Sequence, residues 1–214
     1  MADPSDYFIL SIPTHDGRAV PKSIMDLMSV AAILKRQFLL NVQTGTGIAN
    51  TRQKCTDTVK TSFPDEKNVY IFWLDSDILL MENPKKIADY IVEAENRGLS
   101  FTTNYLGIDS YTGKTFNTAM KGDTENYAEY YTDKELKNAK PFELKCAYSG
   151  FGIGYIKTPL DYKFKTIGHE QEDFLFFKDN KTIDLRYVPI SNVHIKTVNL
   201  VFDHTNFEAL SSSD

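Results

Sequence analysis

Val69 to Glu82 reads VYIFWLDSDILLME. Val69 to Leu74 is an unbroken apolar and aromatic run, Ile78 to Met81 is a second, and Asp75, Ser76 and Asp77 stand between them. A short run that is apolar at every position predicts a strand buried on both faces, as in a parallel or mixed sheet covered by helices. Carboxylates at its end cannot stay in the core unpaired, because taking a bare charge out of water costs too much. They are expected to emerge at the carboxyl end of the strand, the edge at which open α/β sheets bind ligands. Two Asp side chains there, one residue apart, make an oxygen-rich site suited to Mg²⁺ or Mn²⁺. The same tripeptide also suits a plain strand-end turn or a helix cap. In a regular strand Asp75 and Asp77 point to opposite faces, so joint use of both requires a bend at Ser76.

Outward from this stretch the chain alternates between strand-like and helix-like segments. Tyr7 to Ile12 (YFILSI), closed by Pro13, predicts the first strand. Thr14-His15-Asp16-Gly17-Arg18 is a polar loop. Pro21 or Ser23 opens a helix to about Leu34, with Ile24, Leu27, Met28 and Ala31 on one face. Phe38 to Val42 predicts a second strand, Gln43 to Gly47 a glycine-containing loop, and Ile48 to Thr61 a second helix. Pro84 to Arg97 predicts a helix on the spacing of Ile87, Tyr90 and Ile91, ended by Gly98. Leu99 to Thr103 predicts another strand. This β-α-β-α-β-α-β rhythm implies an α/β fold: a mixed, mostly parallel central sheet flanked by helices.

The rhythm breaks at Tyr105. Tyr105 to Pro141 is polar and carries Tyr105, Tyr111, Tyr127, Tyr130 and Tyr131. Connections this long are usually functional or hold short elements of their own. The tyrosine rings suit stacking on sugars; a helical excursion over Tyr127 to Asn138, with its tyrosines inward, suits the pattern equally. Phe142 to Ile156 returns to strand character, with Gly150, Gly152 and Gly154 in alternation. Such small residues let backbone or ligand approach closely. Gly168 to Asp173 precedes Phe174-Leu175-Phe176-Phe177 and predicts a helix start. Glu170, Glu172 and Asp173 are accounted for there by the positive end of the helix dipole. Arg186 to Ile190 predicts the last core strand, with His194 beyond it.

At 214 residues, 42% hydrophobic and 25% charged, the chain is sized for one globular domain with a substantial core. The net charge of -5 argues against a general nucleic-acid binder. No run of about twenty apolar residues predicts a membrane span, and the polar start MADPSD does not read as a secretion signal. Cys55 and Cys146 fall in a predicted helix and a predicted strand and read as reduced core thiols, which points to the cytoplasm.

Taken in order, these pieces resemble the GT-A fold glycosyltransferases from Tyr7 to His204. The pieces are Pro13-Thr14 after the first strand and a glycine-containing loop leading into a helix that bears Arg52. The Asp-x-Asp follows at Asp75 to Asp77, then a small-residue segment at Tyr148 to Gly152, the acidic pair Glu172-Asp173, and His194 after the final strand. More closely, the chain is similar to viral glycosyltransferase domains that build capsid glycans. The resemblance implies a nucleotide-binding half over about residues 7–104, an acceptor-binding half over about 105–204, and further domains in a larger polypeptide acting in the host cytoplasm.

It also implies a donor and residue roles. The donor would be a UDP-sugar, with UDP-glucose or UDP-rhamnose as guesses, and the acceptor a glycan. Pro13, Thr14, Asp16, Arg18, Thr44, Arg52, Asp75, Ser76, Gly150 and Lys196 would line the nucleotide-sugar site. Asp77, Asp75 and His194 would hold Mn²⁺ or Mg²⁺, with His169 and His204 as rivals to His194. Here Arg52 is followed by Gln53 where the family often has Asn, which leaves the base and phosphate contacts unassigned. Asp173, or its neighbour Glu172, would face the acceptor. It would act as general base in an inverting enzyme, or as an orienting or nucleophilic carboxylate in a retaining one, which the resemblance slightly favours. A metal-dependent phosphatase built on an Asp-x-Asp and a non-catalytic sugar-binding module are the alternatives.

Overall fold

Asn68–Leu74 forms the strand that the apolar run predicts, and it lies inside the sheet with a neighbour on each side. The computed structural model describes residues 3–108, 115–121, 129–147, 151–167 and 171–195. After a 3-10 turn at Pro4–Asp6 come β1 (Tyr7–Thr14), α1 (Pro21–Ile33), β2 (Gln37–Thr44), α2 (Ile48–Ser62) and β3 (Asn68–Leu74). Then follow β4 (Ile78–Leu80), α3 (Pro84–Arg97), β5 (Ser100–Thr102), β6 (Leu106–Ile108), β7 (Thr115–Asn117) and α4 (Asp133–Asn138). The chain continues through β8 (Ile153–Pro159), α5 (Glu172–Asp179), β9 (Leu185–Tyr187) and β10 (Asn192–His194).

Six strands make one mostly parallel sheet in the order β2-β1-β3-β8-β5-β9. Only β8 runs against its neighbours, pairing antiparallel with β3 and with β5. Successive side chains on a strand point to opposite faces, and the core divides accordingly. Phe8, Leu10 and Ile12 of β1 and Phe72 and Leu74 of β3 pack with Leu27, Val30 and Ala31 of α1 and Ile87 and Ile91 of α3. Ile9, Val69, Ile71 and Trp73 pack on the other face with Cys55 and Val59 of α2 and Phe176 of α5. Both faces are therefore covered by helices, which is why β3 is apolar or aromatic from Val69 to Leu74. Among the described residues no helix is long and apolar enough to cross a membrane.

Most predicted boundaries lie within two residues of the observed ones. Asn83 caps α3 by accepting from the Lys85 amide, and Gly98 ends it at φ 65°. Three expectations are corrected. Met28 does not face the core, since it is 50% exposed while Val30 is buried. Phe142 to Ile156 is not one strand. Phe142 sits at φ 63° and its amide donates to the Tyr187 carbonyl, so this segment edges β9 irregularly and β8 starts only at Ile153. Cys146 therefore lies in that irregular strip, buried like Cys55 and unpaired with it. The helical excursion is short: α4 starts at Asp133, Tyr131 precedes it and donates to the Lys145 carbonyl, and Tyr127 lies outside the described residues.

β4 leaves the main sheet and pairs antiparallel with β10. A buried serine ties it to α1: Ser23 Oγ donates to the Ile78 carbonyl and accepts from the Leu80 amide, both at 2.9 Å. Ser23→Ala strands both backbone groups in a buried position and is expected to cost about 2 kcal/mol. Urea unfolding of the two proteins measures this; a loss below about 0.5 kcal/mol would show that other groups satisfy β4.

Candidate functional site

The ends of β1, β2, β3 and β5 and the start of β8 meet at one edge of the sheet. At β3 the chain stops being extended after Leu74. The Asp75 amide donates to the Gly152 carbonyl at 2.9 Å, and the Ile78 amide closes a turn onto the Asp75 carbonyl at 3.2 Å. Ser76, half-buried, lies inside that turn. The bend that joint use of Asp75 and Asp77 demanded is thus present. Beyond it, β10 pairs His194 opposite Ile78, and the Ile195 amide donates to the Asp77 carbonyl at 2.7 Å. This register brings His194 Nε2 to 2.8 Å from Asp77 Oδ2, across 117 residues of sequence.

Arg52, in the second turn of α2, crosses beneath Asp75. Its Nε donates to Glu172 Oε1 at 2.9 Å and its Nη2 to Asp75 Oδ1 at 3.0 Å. The guanidinium carbon lies 4.9 Å from the centre of the Phe151 ring and 5.7 Å from that of Trp73. Arg52 is only 2% exposed, and its buried Nη1 has no hydrogen-bond partner among the described residues. Burial works against the guanidinium charge, but Asp75, Glu172 and Asp173 outweigh it, and the pKa is raised. Burial pushes the Asp75 carboxyl upward, Arg52 pulls it down, and Asp77 and Glu172 push it up again; the net direction is upward.

Arg52 was expected to line the nucleotide-sugar site. Two of its three nitrogens are committed to protein carboxylates, so it braces the site from below. Glu172 and Asp173 do open α5 as predicted, yet the helix dipole is not the main reason they are tolerated. Both are buried, and Glu172 is the partner of Arg52. Asp173 Oδ1 accepts from the Phe174 amide at 2.8 Å.

The residues expected to hold the base and ribose gather at the neighbouring strand ends. Pro13 and Thr14 are not a loop: they complete β1, buried, opposite Gln43 and Thr44 of β2. The true loop begins at His15. Thr14 Oγ1 is 3.3 Å from Asp16 Oδ1, and Asp16 accepts from the Arg18 amide at 3.0 Å, which lowers its pKa. Thr44 is exposed at the end of β2, its carbonyl accepting from Lys54 Nζ at 2.8 Å. Gly150, Lys196, His169 and His204, with Tyr148 and Ser149, lie outside the described residues.

Tyr105 is the residue whose role the sequence left open. It follows β5, and its ring fills the space over Gly152 so closely that a Cβ there would stand 2.3 Å from a ring carbon. The close approach expected at the glycines is therefore made, at Gly152, by a tyrosine. The same ring meets the His194 imidazole edge-on, with centres 5.9 Å apart. Burial first, then the charges of Asp75, Asp173 and Asp77, hold the Tyr105 hydroxyl well above the usual phenol range.

Among the described residues no three His, Cys, Asp or Glu side chains are grouped to hold a metal ion. Asp77 and His194 supply one carboxylate and one imidazole at ligand-to-ligand separation. Neighbouring ligands on an octahedral Mg²⁺ or Mn²⁺ stand about 3 Å apart, and such ions commonly complete their shell with water and substrate phosphates. The separation of the pair is compatible with two neighbouring ligands of a divalent cation. No family model matches the chain, and no curated protein matches it.

Removing Arg52 should expose the strain that it relieves. Arg52→Met leaves Glu172 and Asp75 without their cation and is expected to cost about 3–5 kcal/mol at neutral pH. Asp75 already binds a proton more readily folded than unfolded, so between the ordinary aspartate range and its raised folded value stability grows as pH falls. Without Arg52 that upward shift is larger, so the penalty of the substitution should shrink from about pH 7 to about pH 5. Urea unfolding at both pH values tests it; an equal penalty at both would mean that unpaired carboxylates are not its source.

Proposed function

We propose that the chain is a metal-dependent glycosyltransferase of the GT-A type, moving a hexose or deoxyhexose from a UDP-sugar to a glycan acceptor. The observation that carries this reading is the contact of His194 with Asp77. Two side chains distant in sequence meet at the carboxyl edge of a mostly parallel sheet, and both are metal-ligating types. An Asp-x-Asp at a plain strand-end turn has no need of such a partner.

Each residue then has a task. Asp77 and His194 would hold Mn²⁺ or Mg²⁺, which when bound would neutralise the charge that develops on the departing diphosphate. Asp75, steered by Arg52 through Oδ1, would direct its other oxygen to the ribose. Thr14, Asp16, Arg18 and Thr44 stand where the uridine would lie, along the ends of β1 and β2. Asp173 rather than Glu172 takes the acceptor side, because Glu172 is committed to Arg52. There it would accept the proton of the incoming hydroxyl in an inverting reaction, or orient that hydroxyl in a retaining one. By the resemblance, the domain would serve capsid glycan synthesis within a larger viral polypeptide in the host cytoplasm.

Calorimetric titration of UDP, first with Mn²⁺ and then with EDTA, tests the reading. Binding should require Mn²⁺, and Asp77→Ala should abolish it. Asp173→Ala should leave UDP binding intact while transfer or slow UDP-sugar hydrolysis falls. Binding in neither condition would return the site to a phosphatase or a sugar-binding module.

A further inference from the structure

Tyr105 is placed for more than packing. Its ring is fixed between Gly152, on whose carbonyl the Asp75 amide hangs, and the edge of His194. The Tyr105 oxygen itself lies over Gly152, 2.9 Å from where a Cβ would stand. Burial first, then the charges of Asp75, Asp173 and Asp77, act on that hydroxyl. A phenol hydroxyl amid carboxylates has obvious acceptors, yet among the described residues it makes no hydrogen bond, and its backbone amide and carbonyl alone are engaged, both with Thr118. The ring is held from two sides while the donor is kept in reserve.

We propose that the Tyr105 hydroxyl donates a hydrogen bond to an oxygen of the sugar being transferred. The inference rests on the glycosyltransferase reading above. In that reading the sugar must lie between the diphosphate, at Asp77 and His194, and the acceptor, at Asp173. Tyr105 stands at that interval, touching His194 on one side and lying over Gly152, whose carbonyl holds the Asp75 amide, on the other. Carboxylates there can only accept from sugar hydroxyls. A sugar oxygen that must itself accept a bond needs a donor, and Tyr105 supplies one without adding charge. The edge-on ring of His194 and the absent side chain at Gly152 fix the direction of that donor, so Tyr105 discriminates between sugars by the oxygen they present.

Tyr105→Phe removes the hydroxyl and keeps the ring, so the fold and the His194 contact are preserved. The test compares UDP with UDP-glucose and UDP-rhamnose, each titrated with Mn²⁺ into the wild type and the variant. The wild type should bind at least one UDP-sugar, and the variant should lose about three- to tenfold in affinity for it, the share of one neutral hydrogen bond. Its affinity for UDP should be unchanged. An equal loss for UDP and UDP-sugar would place the contact on the diphosphate and overturn the assignment to the sugar. Unchanged affinity for both would overturn it outright while leaving the glycosyltransferase reading intact. Failure of the wild type to bind UDP with Mn²⁺ would instead overturn that reading, and this inference with it. Gly152→Ala forces the ring aside and should reproduce the loss for the UDP-sugar; a Gly152→Ala protein that binds it normally would also count against Tyr105.

Discussion

The site depends on one buried cation. Arg52 comes from α2, Asp75 from the end of β3 and Glu172 from the start of α5, and no other described ion pair ties these three elements together. Burying an ion pair is seldom a gain in stability, because both partners lose water. What it provides is position. With Nε and Nη2 engaged and the guanidinium set against the Phe151 and Trp73 rings, Arg52 has little room to turn. The rings offset part of its lost hydration. Among the described residues its Nη1 has no partner. Asp75 and the start of α5 are thereby held in fixed relation, although they lie far apart in sequence.

A second constraint operates above the sheet. β3 ends where it must, because a carboxylate cannot follow Trp73 and Leu74 into the core. The turn at Asp75 to Ile78 sends β4 away, and β4 needs a partner for its backbone. β10 supplies it, and the antiparallel register sets His194 beside Asp77. Ser23 secures β4 from α1, so the position of His194 rests on the packing of α1 as well. Core, turn and small sheet act in sequence, and the contact between imidazole and carboxylate is their product.

The fold was legible because it rests on local signals: apolar runs for β1 and β3, helical spacing for α3, Asn83 and Gly98 at its ends. That Asp75 and Asp77 follow a strand, Glu172 and Asp173 open a helix and His194 lies beyond the last core strand was legible for the same reason. What could not be read were pairings over long separations. Arg52 looks like a cation free for phosphate until Glu172, 120 residues away, is seen to occupy it. Phe142 to Ala147 reads as strand because Phe142, Leu144 and Cys146 alternate with Glu143 and Lys145, but it borders β9 in an irregular strip. Gly152 signalled a close approach without saying by what. The answer, Tyr105, sits in a polar segment whose pattern predicts nothing.

These placements leave the site electrically unfinished. Asp75, Glu172 and Asp173 act on one guanidinium, and Asp77 lies beside them against His194. Counted over these four carboxylates and Arg52 alone, among the described residues, the formal charge is about minus three, apart from the proton that a raised Asp75 can retain. A diphosphate approaching such a cluster is repelled at short range, where little water intervenes to screen it. Arg52 cannot relieve this, because its own charge is spent on Asp75 and Glu172. On the proposed reading, nucleotide and divalent cation therefore enter as linked events: the cation lowers the repulsion that the nucleotide meets, and the diphosphate completes a ligand set that Asp77 and His194 only begin. The dependence on metal would then follow from the charge balance of the pocket as much as from the chemistry of the leaving group.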